Sequence, residues 1–320
     1  MHAADTLLAR DVRVYVAGHR GLVGGAVTRE LSRHGIATLG RTSAELDLRD
    51  REAVFAFFRD ESPTHVVLAA AKVGGIMANA TYPNDFLSDN LRIQLNVMDA
   101  AQQSGADRLL FLGSSCIYPK FADQPIREDS LLTGALEPTN DAYAIAKIAG
   151  VLQVQALRRQ HGVHFISAMP TNLYGPGDNF DLEKSHVLPA MIRRMHEAKL
   201  TGAPSVTLWG TGEPRREFLH VDDLASAVVL LLERYDDPRT INVGVGEDVS
   251  IRELAELVRE VVGYSGELQW DTAKPDGTPR KLLDVRRLLA LGWSPRVPLR
   301  DGIGATYAWF QEHVAVDARL

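Results

Sequence analysis

Short apolar runs separated by helical patterns set the rhythm of the first half of the chain. Residues 12–17 form a β-branched and apolar run, glycines follow at once, and 22–33 repeats apolar positions at helical spacing. The alternation recurs with a strand over 37–39, a helix over 52–59, a strand over 65–71, a helix over 85–103 and a strand over 108–112. A helix over 143–160 then leads to a strand over 165–169. Strands that are apolar along their whole length, not at every second position, are buried on both faces, as parallel sheets are. The pattern predicts an α/β fold, a Rossmann-type doubly wound parallel sheet with right-handed crossovers.

The rhythm breaks at Pro170, where Pro170-Thr171-Asn172-Leu173-Tyr174-Gly175-Pro176-Gly177 carries the chain off the sheet. A smaller, discontinuous α/β substrate lobe is expected beyond it, with helices over 188–198, 250–262, 285–291 and 302–313 and a strand over 206–210. A helix over 223–233, capped by Asp222, and a strand over 240–243 return to the sheet. The expected division is 11–177 plus 218–245 for the dinucleotide domain and 178–217 plus 246–320 for the lobe. The lead-in before residue 12 has no role that the pattern assigns.

At 320 residues and 45% hydrophobic content the chain can bury a large core. With 41 acidic against 35 basic residues and a formal charge of -6, it offers no general field for nucleic acid or an anionic membrane. Any phosphate must be gripped locally. A single cysteine, no spanning apolar run and no secretory signal fit a cytoplasmic protein, and scattered histidines suggest no metal site.

The turn after the first strand reads Gly18-His19-Arg20-Gly21-Leu22-Val23-Gly24. Glycines permit a tight turn and close approach of backbone to a pyrophosphate, whose charge a helix amino terminus favours. About 20 residues on, where a carboxylate would bind an NAD ribose, stands Arg41, either a solvated loop charge or a fork for a 2′-phosphate. The second possibility favours NADPH. Asp47 and Leu48 follow at the expected flank of the adenine, and Ala70 and Ala71 end the third strand with side chains small enough to admit a cofactor.

Gly113-Ser114-Ser115-Cys116 follows the fourth strand, at the carboxyl edge where such sheets bind ligands. If the strand stays extended, Ser114 and Cys116 share a face. Tyr143 and Lys147, four apart on a helix, also share a face, so that the ammonium can stabilise a phenolate or the pair can be an ordinary amphipathic face. Read as a site, hydroxyl, phenol and amine converge on one carbonyl oxygen.

The glycine spacing, the strand-end Ser114 and Tyr143-x-x-x-Lys147 together resemble the extended short-chain dehydrogenase/reductase superfamily. Gly18-His19-Arg20-Gly21, Lys72-Val73-Gly74-Gly75, Ser114-Ser115-Cys116-Ile117-Tyr118-Pro119, Glu137-Pro138-Thr139-Asn140 and Asp276-Gly277-Thr278-Pro279-Arg280-Lys281 are similar to the GDP-L-fucose synthase family within it. That resemblance implies conversion of GDP-4-keto-6-deoxy-D-mannose to GDP-L-fucose by 3,5-epimerisation and NADPH-dependent reduction. It implies Ser114 and Tyr143 at the C4 oxygen, Lys147 on the phenol and the nicotinamide ribose, and Cys116 and His186 as the acid and base at C3 and C5. It further implies Pro170, Asn172, Leu173 and His186 along the cofactor, Asn172 at the sugar, and Arg194, Trp209, Arg216, Asp276 and Lys281 around GDP. From the residues alone, Trp209 could instead anchor the lobe core, and Arg216 could pair with Asp222 or Glu217. A homodimer through the helices over 85–103 and 143–160 is implied as well. Ser43 stands where relatives often carry a second basic residue, which predicts weaker selectivity for NADPH. A 4-epimerase or dehydratase of the superfamily, a GDP-colitose-forming relative and a cofactor-binding protein without catalysis remain as other readings.

Overall fold

The computed structural model describes residues 12–182, 185–274 and 276–315; the lead-in before residue 12 and the end of the expected lobe beyond residue 315 lie outside them. The first part of the chain forms β1 (Val14–Ala17), α1 (Leu22–Arg33), β2 (Thr38–Leu39), α2 (Arg51–Glu61), β3 (His65–Leu68), α3 (Ile76–Thr81), α4 (Pro83–Gln103), β4 (Arg108–Leu112), α5 (Asp141–His161) and β5 (His164–Pro170). Then come β6 (Asn172–Tyr174), α6 (Val187–Thr201), β7 (Ser205–Trp209), β8 (Arg215–Arg216), β9 (Phe218–His220), α7 (Val221–Arg234) and β10 (Ile241–Val243). The remainder forms β11 (Val249–Ser250), α8 (Ile251–Val262), β12 (Glu267–Asp271), β13 (Arg280–Lys281), α9 (Arg286–Ala290) and α10 (Leu299–His313). No helix among the described residues is long and apolar enough to cross a membrane.

Six strands form a parallel sheet in the order β10-β5-β4-β3-β1-β2, as the apolar runs predict. The chain steps one way from β1 to β2 and the other way from β3 outward. A crevice therefore opens beyond the carboxyl ends of β1 and β3, where doubly wound sheets hold their ligands. One side of the sheet packs on Ala26, Val27 and Leu31 of α1 and on Leu224, Val228 and Leu231 of α7. The other packs on Val54 and Phe58 of α2, Val97 and Met98 of α4, and Val151 and Val154 of α5. Each of these valine, leucine, methionine and phenylalanine side chains taken from water contributes roughly 1.5–3 kcal/mol. Gly150 lets α5 close on the sheet, since a Cβ there would meet the Phe111 ring at 2.4 Å.

A third core gathers Ile192 and Met195 of α6, Leu254 and Val258 of α8, and Ile303 and Phe310 of α10. Leu283, Val285, Leu288 and Trp293 instead join the clusters on the two faces of the sheet. Glu217, wholly buried between β8 and β9, fastens these parts together. Its carboxylate accepts backbone N–H bonds from Val245 at 2.6 Å, Gly246 at 2.7 Å and Leu283 at 3.0 Å. Its carbonyl oxygen accepts from Asn172 at 2.9 Å and from Thr171 at 3.2 Å.

Two local expectations are corrected. The β4 strand stops at Leu112 and Ser115–Ile117 forms a 3-10 turn, so Ser114 and Cys116 do not alternate along an extended strand. The reason is local: the Ser114 hydroxyl accepts the Cys116 N–H at 3.2 Å and so competes with the sheet ladder for the backbone. Helix α7 begins at Val221 with His220 as its cap, whose Nδ1 accepts the Asp222 N–H at 3.3 Å. Asp222 lies in the first turn and pairs with Arg29 of α1 at 2.9 Å.

Candidate active site

The glycine turn is built for close approach. Gly18 adopts φ +86°, where L side chains are strained, and a Cβ on it would come within 2.9 Å of the Ala70 nitrogen. A Cβ on Gly24 would meet the Gly18 carbonyl oxygen at 2.1 Å, so α1 lies directly against the backbone of the turn that follows β1. Helix α1 starts at Leu22 with Gly21 as its cap and no side chain on its first N–H groups, which leaves the donors of Leu22 and Val23 for an anion. His19 packs its ring over Gly40, and its buried Nδ1 has no hydrogen-bond partner among the described residues. A backbone cradle, bare helix donors and an unpartnered ring nitrogen all fit a dinucleotide pyrophosphate.

Arg41 follows β2, stacks on the Phe57 ring at 5.3 Å and pairs with Glu61 at 2.6 Å. Glu45 feels both Arg20 and Arg41, so two guanidiniums border the same edge of the crevice. Asp47 is held by Arg49 at 2.8 Å, and the Leu48 carbonyl accepts from Asn96 at 2.9 Å. Ala70 and Ala71 follow β3 beside the glycine turn. Pro170 closes β5, and Leu173 packs on the sheet core. Asn172 stands at the same edge with its amide committed to Glu217.

Helix α5 carries Tyr143 and Lys147 one turn apart. Lys147 is 4% exposed and donates to the Leu112 carbonyl at 2.8 Å, and its pKa is brought down to about 7 by burial alone. Its nitrogen sits 5.8 Å from the Tyr143 ring centroid. The Tyr143 phenol is raised above the ordinary value by burial and by the neighbouring Cys116, against which Ser114, within hydrogen-bonding reach, works. Lys147 is not among the influences on that phenol. The geometry therefore keeps Tyr143 protonated, a state suited to donating a proton rather than to a resting phenolate.

Cys116 is the centre of a second group. The Asn140 amide donates to its sulfur at 3.4 Å and the Lys281 ammonium at 3.6 Å. Burial pushes the thiol up, but Lys281, Ser114 and Asn140 outweigh it and the pKa falls below the ordinary cysteine value. His186, just before α6, is lowered by the atoms crowded round it and by the Lys281 ammonium, though its exposure to the open cleft tempers the first effect. Arg216 has burial working against its charge, while Cys116, Asp276 and Glu137 favour it. Strand register explains the meeting, because β13 pairs with β8 so that Lys281 lies opposite Arg216.

Trp209 ends β7 with 47% exposure, too open to anchor a core, and the Lys274 ammonium lies 5.4 Å from its ring centroid. Asp276 accepts from the Thr211 N–H at 2.7 Å and hydroxyl at 2.8 Å. Arg194 is half-buried on α6. Arg216 does not take either sequence-suggested partner, since Asp222 binds Arg29 and the Glu217 carboxylate binds backbone N–H groups. Asn140 and Glu217 were missed by sequence reasoning. Asn140 precedes α5 and reads as an ordinary helix cap, yet its side chain makes no cap bond and turns to the thiol instead.

A doubly wound sheet with a glycine cradle and, at its carboxyl edge, a half-buried Tyr143 one helical turn from a buried Lys147 defines a dinucleotide-binding protein equipped for carbonyl chemistry. The chain belongs to the NAD dependent epimerase/dehydratase family, whose model matches residues 14–244. It is 60% identical over 306 residues to GDP-L-fucose synthase 1 of Arabidopsis thaliana, covering 95% of each chain. It is 52% identical over 311 residues to the GDP-L-fucose synthase of Escherichia coli strain K12, covering 94% of this chain and 97% of that one. Among solved structures it is similar, at 36% identity and a TM-score of 0.88, to a GDP-mannoheptose C4 reductase from Campylobacter jejuni with NADP bound, covering 95% and 99%.

Proposed function

We propose that the protein converts GDP-4-keto-6-deoxy-D-mannose to GDP-L-fucose, by epimerisation at C3 and C5 followed by NADPH-dependent reduction of the C4 ketone. The observation that carries this reading is the meeting at one cleft of a carbonyl-directed pair, Ser114 and Tyr143, with a sulfur held by Lys281 and Asn140. Relatives bearing the GDP-L-fucose synthase name at 52–60% identity over nearly the whole chain support the choice of substrate.

Protons at C3 and C5 are acidic because their loss leaves an enolate with its charge on the C4 oxygen, and donors aimed at that oxygen stabilise it. Ser114 and Tyr143 supply those donors. Cys116 removes a proton, and His186 returns one to the opposite face. NADPH, when bound, supplies hydride to C4. Tyr143 then delivers its proton to the C4 oxygen, while Lys147 orients the nicotinamide ribose. The turn Gly18, His19, Arg20, Gly21, Leu22, Val23 and Gly24 holds the pyrophosphate, Arg41 the 2′-phosphate, Asp47 and Leu48 the adenine side, and Ala70, Ala71, Pro170, Asn172 and Leu173 the remaining wall. Arg194, Trp209, Arg216 and Asp276 grip GDP from the lobe, with Asn172 at the sugar. This reading keeps the division into 11–177 plus 218–245 and 178–217 plus 246–320, with the stretch around 283–293 folded back against the sheet.

Incubation with GDP-4-keto-6-deoxy-D-mannose in deuterated water, with NADPH or NADH in parallel, tests the reading. GDP-L-fucose deuterated at C3 and C5, with NADPH consumed, is the expected result. Bound cofactor without exchange or oxidation overturns it. Leu95 of α4 and Ile145 and Leu152 of α5 are exposed on neighbouring helices and support a homodimer through that face. Sedimentation at a monomer mass across micromolar concentrations refutes the dimer. A cytoplasmic location fits the single thiol and is refuted by fractionation outside the cytosol.

A further inference from the structure

We propose that Lys281 and Asn140 hold Cys116 as the thiolate that removes the sugar protons, which makes Lys281 a positioning residue for the epimerisation and not merely a grip on GDP. The proposal rests on the functional reading above and deepens it. Three observations carry it. Lys281 and Asn140 reach the sulfur from two different parts of the chain, at 3.6 Å and 3.4 Å, and both present N–H groups to it. Neither interaction is the one its local context calls for, since Asn140 stands at a helix cap without capping and Lys281, on the short strand β13, forms no ion pair with a carboxylate among the described residues. Register then fixes Lys281 opposite Arg216, so a second cation lies near the same sulfur.

The charged and titratable groups facing Cys116 sort by sign. Lys281 from β13 and Arg216 from β8 favour the anion, and Asn140 and Ser114 donate hydrogen bonds. Tyr143 on α5 is neutral and has its own ionisation opposed by the sulfur. His186 is disfavoured as a cation by Lys281. Asp276 and Glu137 act on the same Arg216, and the net effect on the sulfur is a thiol pKa below the ordinary cysteine value, which raises the thiolate fraction.

In the step itself the C–H bond breaks, its electrons move onto the C4 oxygen as an enolate, and the proton forms the S–H bond. A proton from the imidazolium of His186 then enters the opposite face of the carbon. Transfer of the thiol proton to the neutral imidazole through solvent resets the pair, so no proton is consumed. Lys281 exchanges no proton in this step and acts on it by setting the charge of the sulfur.

Because the chain has one cysteine, alkylation by iodoacetamide reads Cys116 alone. Alkylation rate against pH should shift upward by at least one unit in Lys281→Met, which slows the reaction at neutral pH about tenfold or more. Lys281→Arg should restore most of the wild-type profile, and Asn140→Leu should give a smaller upward shift. An alkylation profile that Lys281→Met leaves unmoved, in protein with an unchanged melting temperature, overturns the proposal. Should Lys281→Met not fold, an Arg variant that alkylates like wild type supports the proposal only together with the Asn140→Leu shift, and an unmoved Asn140→Leu profile overturns it. With substrate, C3 and C5 exchange in Lys281→Met should fall at pH 7 and recover at pH 9, where the thiol ionises without help. A residue that only grips GDP would raise KM at both pH values. The alkylation arm needs no sugar, so a wild-type protein inert towards the GDP-sugar refutes the functional reading while leaving the thiol result readable.

Discussion

The ammonium of Lys147 donates to the carbonyl oxygen of Leu112 at 2.8 Å, and this bond rather than a pairing with Tyr143 fixes where it stands. Burial brings its pKa down from 10.5 to about 7, so the folded protein prefers the neutral amine while the unfolded chain keeps the proton up to about pH 10. Between pH 7 and 10 the unfolded state therefore binds more protons, and stability rises with pH, by up to ~1.4 kcal/mol per unit. The cofactor-free protein should unfold at higher urea as pH increases through that window. Lys147→Met should flatten the slope; an equal slope in the variant refutes the assignment.

Tyr143→Phe removes the phenol proposed as proton donor while keeping the ring that stacks edge-on to Phe86 at 6.4 Å. Reduction of the ketone should fall by about a hundred- to ten-thousand-fold, the usual worth of a positioned acid. NADPH affinity by fluorescence titration should stay within a few-fold. A variant that reduces at near wild-type rate takes Tyr143 out of its role.

Arg41 is tied to Glu61, yet a 2′-phosphate can take the same fork. Arg41→Ala should raise the Kd for NADPH by about ten- to a hundredfold, matching charge-assisted bonds of roughly 1.5–3 kcal/mol, and leave the Kd for NADH unchanged. Glu61→Gln should tighten NADPH by freeing the guanidinium. Isothermal titration with both cofactors measures the pair of effects, and equal loss for NADPH and NADH refutes the assignment.

Glu217→Ala leaves the N–H groups of Val245, Gly246 and Leu283 without their acceptor. Loss of roughly 3–5 kcal/mol in denaturant unfolding is expected, because each buried orphan costs about 1–3 kcal/mol before relaxation and water entry offset part of it. Glu217→Gln retains an acceptor and should cost less than half as much. A Glu217→Ala protein as stable as wild type refutes its part as a fastener.

The parallel sheet, the glycine turn and the Tyr143 and Lys147 helix were legible because each depends on a contiguous pattern of a few residues. What joins β13 to β8 was not, since a two-residue strand has no periodicity and its register depends on chain folded between residues 216 and 280. Lys281 therefore reads from sequence as a GDP contact and from structure as a neighbour of the thiol. The turn at Ser114 was misread for the opposite reason, because an entirely local hydroxyl-to-backbone bond overrode the strand that precedes it. Glu217, sitting between Arg216 and Phe218, gives no local sign of being buried; only the three backbone donors gathered from distant loops account for it.

The order of strands has a bearing on synthesis as well as on shape. All six strands of the sheet, and with them the glycine cradle and the Tyr143 and Lys147 helix, are encoded before residue 244, whereas the ammonium that faces Cys116 arrives only at residue 281. On the ribosome, the glycine cradle and its sheet are complete in sequence nearly forty residues ahead of the ammonium beside the thiol, so a chain released early carries the cradle without that charge.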